Sequence, residues 1–192
     1  GLLAPRTTLA HAVHLNRRDV EIIGERGSFL SHNPVSNLKL NSGLFAFEDL
    51  YHRLPGKVTI GTDGASSNNN LSMIESVKFA SLAAKCQADS ATAGKAADVF
   101  RAATSNGAAA FGLNAGEIRE GAPADCLLVD LNNPFMVPAY NLVSDLVYAA
   151  DSSSIADVIC NGRLVMEDRR VEGEAEIVAE ARKLAEKIIN LK

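Results

Sequence analysis

The run Val58-Thr59-Ile60-Gly61-Thr62-Asp63-Gly64 constrains the fold more than any other stretch of the chain. A β-branched segment climbs to one carboxylate, and a loop rich in Ser and Asn follows before an apolar-periodic segment starts at Leu71. That is the pattern of a strand delivering a single acid to a loop. Upstream, Thr7 to Ala10 and Ser28 to Ser31 are two further short strand-like stretches, with helix-like segments between them. The order strand, helix, strand, helix, strand implies parallel strands joined by crossovers, and therefore an α/β fold. In such folds chemistry gathers at the carboxyl ends of the strands, where loops vary while the strands stay rigid. Asp63 lies at such an end, and Gly64 lets the backbone turn beside it. An Asp-Gly pair is equally at home in an ordinary turn, so the dipeptide alone leaves its role open.

The segments between the strands carry their own punctuation. Asn16 is placed to cap a helix bearing Val20, Ile22 and Ile23, which Gly27 stops. His32 to Leu40 reads as a polar loop stiffened by Pro34. A helix from Ala46 to Leu54 carries Phe47, Leu50 and Leu54 on one face and ends at Pro55-Gly56. Beyond Asp63, Asn70 or Ser72 caps a helix running to Lys85, with Ile74, Val77, Phe79 and Leu82 expected inward. A small-residue linker, Gln87 to Gly94, leads to a helix over Lys95 to Thr104, continued by Asn106 to Phe111 and stopped at Gly112.

From Gly116 the character changes. Asp125 to Asp130 reads as a buried strand, and Asn161-Gly162 between the apolar runs Ile155 to Cys160 and Arg163 to Glu167 signals a tight hairpin. Leu142 to Ala150 is apolar and fits either a helix or a strand; it is expected to be mostly irregular. Glu174 to Asn190 reads as an amphipathic helix with Ile177, Ala181, Leu184 and Ile188 on one stripe. The expected divisions are therefore residues 1–115, 116–173 and 174–192.

Composition removes several classes of function. A length of 192 residues, 47% of them hydrophobic and 22% charged, suits a globular domain with a real core. The net charge is −4 and the basic residues are scattered, so no nucleic-acid surface is expected. No apolar run approaches the roughly 18 residues needed to cross a bilayer, and no leader pattern opens the chain. Three cysteines, Cys86, Cys126 and Cys160, with no CxxC pair, suggest neither a disulfide framework nor a cysteine zinc site. A reducing, cytoplasmic setting follows as the expectation. Gly1 is not a methionine and few residues precede the first strand, so the chain is expected to begin inside a fold.

His11 and Asp63 both fall at strand ends and could meet above the sheet, although a lone histidine after a strand is more often a hydrogen-bonded structural residue. His14, three residues on, is poorly placed to form a metal pair with His11. His32 opens the loop after the second strand and is expected at a pocket rim; His52, on a helix, is expected at the surface. Asp125 and Asp130 bracket a strand and read as structural. Gly61-Thr62-Asp63-Gly64 lacks the spacing of a phosphate loop. Ser66 and Ser67 sit in no nucleophile elbow, so serine hydrolase chemistry fits poorly.

Three blocks taken together carry a resemblance. They are Ala10-His11-Ala12-Val13-His14-Leu15, then Ser31-His32-Asn33-Pro34-Val35-Ser36-Asn37-Leu38-Lys39-Leu40, then Gly61-Thr62-Asp63-Gly64-Ala65-Ser66-Ser67-Asn68-Asn69. In this order and spacing they resemble the second half of the amidohydrolase superfamily, most closely its methylthioadenosine and S-adenosylhomocysteine deaminases and their chlorohydrolase relatives. Gly116 to Asp125 resembles the same family, in which the two chain ends complete a small β-sandwich.

The resemblance implies the C-terminal part of a (β/α)8 TIM barrel, strands six to eight, followed by part of the β-sandwich and a C-terminal helix. It implies that Asp63 is a metal ligand and moves protons, and that His11 positions the attacking water or polarises the substrate. His32, Ser66 and Asn68 would border the pocket of a small-molecule substrate, an adenosine-like or other amino-substituted heterocycle. The implied cofactor is zinc or another divalent metal, which brings bound water to a pKa of about 7. The family also needs a His-x-His pair from strand one and a histidine from strand five with an acid three residues beyond it. None of these can be placed here, so the isolated chain is expected to be inactive, paired with a missing N-terminal half of the barrel or self-associated through open sheet edges. The alternatives are a chlorohydrolase-type enzyme, and a non-catalytic half-barrel or truncated relative acting as an association module.

Overall fold

The computed structural model describes residues 1–190. Its first part alternates strand and helix: β1 (Thr8–Ala10), α1 (Arg17–Arg26), β2 (Phe29–His32), α2 (Pro34–Lys39), α3 (Phe47–Arg53) and β3 (Val58–Ile60). The three strands pair in parallel in the order β1-β2-β3, with Ala10 opposite Ser31 and His32 opposite Ile60. All three carboxyl ends thus emerge on the same side. Local chemistry explains the limits of α1. The Asn16 side chain accepts from the Asp19 amide while the Asp19 carboxylate accepts from the Asn16 amide, and Gly27 closes the helix at φ 66°. Val20 and Ile23 of α1 and Leu50 of α3 then pack with Leu30, Val58 and Leu54 in one core.

Two expectations change at the end of β2. The segment from His32 to Leu40 is not a loop throughout, because Pro34 starts α2, where its fixed φ suits a first helical turn and its missing N–H is not needed. His32 does not lie at a rim. It is the last residue of β2, buried at 2% exposure, with its ring stacked on Phe45 at 4.5 Å and tilted against Phe47 at 6.3 Å. Burial among aromatic rings holds its pKa down to about 3.

After β3 come α4 (Ala65–Asn68), α5 (Met73–Ala88), α6 (Ala96–Ala103) and α7 (Ser105–Phe111). Ser72 caps α5 by accepting from the Glu75 amide. The inward face of α5 differs from the expected one. Val77 is buried, together with Ser76, Ala80, Ser81, Ala83 and Ala84, whereas Phe79 and Leu82 are exposed. Small residues win this face because the neighbouring backbone approaches closely. A Cβ on Gly94 would sit 2.7 Å from the Ala84 Cβ, and Gly94 adopts φ 55°.

The second sheet is antiparallel, β4 (Cys126–Val129), β5 (Ile155–Cys160) and β6 (Arg163–Met166), in that order, with α8 (Leu142–Tyr148) between β4 and β5. Asn161 and Gly162 join β5 to β6 with φ of 49° and 74°, the left-handed pair that a two-residue hairpin requires. Asp125 accepts from the Asn161 amide at 2.6 Å, and Asp130 pairs with Arg169 at 2.7 Å. Leu127 and Leu128, expected buried, are exposed, and because consecutive strand residues point to opposite faces, β4 is open to solvent on both sides there, with Cys126 and Val129 only partly covered.

The stretch Leu142 to Ala150, expected to be irregular, forms α8. Val147 is buried, and the Tyr148 hydroxyl lies 2.6 Å from the Ser81 hydroxyl on α5. Finally α9 (Glu174–Ile189) is helical as its pattern suggests, yet none of its residues is buried, and Ile177, Leu184 and Ile188 face solvent. The last two residues of the expected 174–192 segment lie outside the described residues. Among the described residues no helix is long and apolar enough to cross a membrane.

Leu30→Ala, at a site with no solvent exposure, is expected to destabilise the chain by about 2–5 kcal/mol in urea unfolding. Leu127→Ala, on the open sheet, should stay within about 0.5 kcal/mol of the parent. His32 adds a pH dependence. The unfolded chain takes up a proton near the ordinary histidine value while folded His32 does not, so its contribution is complete above about pH 6.5 and shrinks as the pH falls towards 3. Between about pH 6.5 and 5, His32→Phe should flatten the loss of stability with falling pH relative to the parent.

Candidate active site

β1 and β3 lie on either side of β2, so the residues leaving their carboxyl ends face each other across the end of the central strand. His11 follows β1 directly, its amide bonded to the Ser31 carbonyl at 2.9 Å. Asp63 follows β3 after Gly61, whose amide bonds to the His32 carbonyl at 2.9 Å. Both adopt left-handed backbone, φ 67° at His11 and 62° at Asp63. Non-glycine residues enter that region at an energetic cost, and such positions concentrate where side chains must be aimed.

The two side chains converge, with His11 Nε2 3.8 Å from Asp63 Oδ2, and both remain open to solvent. Three donors hold the carboxylate. Ser36 and Ser67 hydroxyls donate to Oδ2 at 2.6 and 2.8 Å, and the Gly64 amide donates to Oδ1 at 2.8 Å. Hydrogen bonds from Ser36, then Ser67, then Gly64 hold the Asp63 pKa below the usual carboxylate value, slightly opposed by desolvation and helped last by His11. On the other side of the histidine ring, Nδ1 lies 2.8 Å from Asn37 Oδ1. Ser36 and Asn37 are consecutive on α2 and almost fully buried.

The other residues expected at the site are placed differently. His32 points away from it into the aromatic cluster. Ser66 is exposed on α4, three residues after Asp63, and its carbonyl accepts from the Lys39 ammonium at 3.1 Å. Asn68 is buried and donates to the Thr62 carbonyl at 2.7 Å, which clamps the loop that carries Asp63. His14 bonds to the Ser42 carbonyl at 2.9 Å and His52 pairs with Glu48 at 3.1 Å, so neither joins His11. Ser36, Asn37 and Ser67 were not singled out by the sequence reading. The signal for two of them is the adjacent hydroxyl and amide of Ser36-Asn37, inside the polar segment stiffened by Pro34.

One carboxylate and one imidazole at this spacing fit part of a cation site. They do not complete one, since a tight zinc site takes at least three protein ligands, and no three His, Cys, Asp or Glu side chains gather among the described residues.

Comparison with known proteins shows the family of the chain. The Amidohydrolase family profile matches residues 1–165. A 5-methylthioadenosine/S-adenosylhomocysteine deaminase of Archaeoglobus fulgidus is 42% identical over 191 residues, covering 98% of this chain and 45% of that protein. A 5'-deoxyadenosine deaminase of Methanospirillum hungatei is 42% identical over 193 residues, covering 99% of this chain and 42% of its own length. The crystal structure of a zinc-bound adenosine deaminase from Xanthomonas campestris superposes with a TM-score of 0.94 at 36% identity, covering 99% of this chain and 44% of that one. The chain therefore spans less than half the length of these relatives. With its profile match extending from the first strand into the second sheet, this chain belongs to the amidohydrolase family.

Proposed function

We propose that this chain is the part of a metal-dependent hydrolase that carries the proton-handling carboxylate, and that the whole enzyme deaminates an adenosine-like amino-substituted heterocycle. The observation that carries this reading is the convergence of Asp63 and His11 at two strand ends, with Asp63 held ionised by Ser36, Ser67 and Gly64. Relatives named as deaminases of methylthioadenosine, S-adenosylhomocysteine and 5'-deoxyadenosine support the substrate class. In this reading β1, β2 and β3 stand as strands six, seven and eight of a (β/α)8 barrel. Residues 1–115 are the partial barrel, 116–173 the β-sandwich segment and 174–192 the terminal helix.

A divalent ion, zinc in the adenosine deaminase of similar structure, would be held by Asp63 together with ligands from the portion of the relatives' length that this chain does not span. When bound, it supplies Lewis-acid activation of a water molecule. The residues of this chain handle the proton and the orientation. Asp63 accepts a proton from the attacking water and returns it to the leaving nitrogen, so the water oxygen replaces the amine on the heterocycle and ammonia departs. His11 orients the nucleophile from the opposite side, within reach of the same carboxylate. Ser66, exposed on the short helix that follows Asp63, borders the substrate, while Asn68 acts through the loop it clamps. The free outer edges of β1 and β3, each strand having one neighbour, pair with the remaining strands of the barrel.

In the protein assembled with those remaining strands, Asp63→Asn should lower turnover of an adenosine-type substrate by at least about 100-fold. Activity retained within a few-fold would remove the proton-transfer role. The purified 192-residue chain by itself is expected to hold sub-stoichiometric zinc by elemental analysis after dialysis, because two donors do not make a tight site. One tightly held zinc per chain would contradict the ligand assignment.

A further inference from the structure

We propose that Asn37 is a positioning residue that fixes the tautomer of His11, so that Nδ1 carries the ring proton and Nε2 presents a lone pair towards Asp63. The chemical use of this arrangement rests on the hydrolase reading above, whereas the arrangement itself stands on the geometry. Asn37 Oδ1 lies 2.8 Å from His11 Nδ1, and an amide oxygen only accepts, so the ring nitrogen must donate. A neutral imidazole has a single N–H, which leaves Nε2 without one. Nε2 is the atom that faces Asp63 Oδ2 at 3.8 Å, too far for a direct hydrogen bond. Two lone-pair-bearing atoms therefore look at the same small volume, an arrangement that suits a cation or a water molecule between them.

The backbone of Asn37 is fixed, since the residue is 1% exposed, its main-chain N–H donates to the Asn33 carbonyl at 3.0 Å and its main-chain carbonyl accepts from the Ser42 amide at 2.9 Å. Its buried side-chain NH2 has no hydrogen-bond partner among the described residues, so the contact with His11 is what sets the direction of the side-chain amide. The neighbouring Ser36, equally buried, donates to Asp63 Oδ2 at 2.6 Å. One turn of α2 thus sets both functional side chains at once. With the Asn37 amide turned the other way, its NH2 group would donate to Nδ1 and the ring proton would move to Nε2. His11 would then turn an N–H towards the carboxylate and have no lone pair to offer there. The two arrangements have different, directly observable ring spectra.

The test is the tautomer of His11, read from long-range proton–nitrogen spectra of the metal-free 192-residue chain in mildly alkaline buffer. The cross-peaks are assigned by their loss in His11→Gln. The expected result is a predominantly Nδ1–H form in the parent chain. Asn37→Leu, which has similar bulk and no acceptor, should shift the population towards the Nε2–H form, and Asn37→Asp, which keeps an acceptor oxygen, should retain Nδ1–H. A parent chain found mainly as Nε2–H overturns the proposal without recourse to any variant. Persistence of Nδ1–H in a folded Asn37→Leu overturns it as well. Because neither substrate nor metal takes part, an Nδ1–H result alongside an Asp63→Asn enzyme of full activity would sink the hydrolase mechanism and leave this assignment standing.

Discussion

Asp63 occupies a left-handed backbone position with its carboxylate turned back towards β2, and it stays there because three donors from two separate segments close on it. Two of these, the Ser67 hydroxyl and the Gly64 amide, are local and come with the turn itself. The third, the Ser36 hydroxyl, arrives from α2, 27 residues earlier in the chain, and is the shortest of the three at 2.6 Å. That contact ties the exit of β3 to the exit of β2. Without it the carboxylate would be an ordinary turn residue whose direction the loop alone would decide. Hydrogen bonds to a charged acceptor are stronger than neutral ones, which suits them to hold a strained backbone in place.

The same approach of the two strand exits shapes the residues beneath. Gly61 follows β3 where Asn33 follows β2, and a Cβ on Gly61 would lie 2.6 Å from Asn33 Oδ1. The absence of a side chain there leaves room for the Asn33 amide and the Ser31 hydroxyl between the two strand exits. Below this polar layer sits the aromatic layer of His32, Phe45 and Phe47, closed to solvent. The site is therefore a thin polar cap on an apolar base, with its two functional side chains at the open surface and the supports from α2, Ser36 and Asn37, buried.

The features legible in the sequence share one property, that their cause is local. The Asn16 capping box, the Gly27 stop and the Asn161-Gly162 hairpin each depend on a few consecutive residues, and each appears where the residues dictate. What escaped was set by distant neighbours. α8 is stabilised by Tyr148 and Val147 meeting α5 and α6, more than forty residues away in sequence. The buried face of α5 went to Ala80 and Ala84 over Phe79 and Leu82, since the backbone near Gly94 left no room for larger side chains. The apolar run of β4 and the apolar stripe of α9 form the expected elements yet stay largely exposed, because an apolar pattern marks what seeks a partner and says nothing about whether one is present.

By itself the sequence determined the α/β order, the parallel strands and the placing of His11 and Asp63 at two strand ends, because alternation, capping and turn chemistry act over a few residues. The tertiary structure decided that His32 belongs to the core, and that Ser36, Asn37 and Ser67 serve the carboxylate and the imidazole. These outcomes depend on the distance between the ends of β2 and its neighbours and on which way a short helix turns as it leaves the sheet. Both are products of packing among residues far apart in the chain.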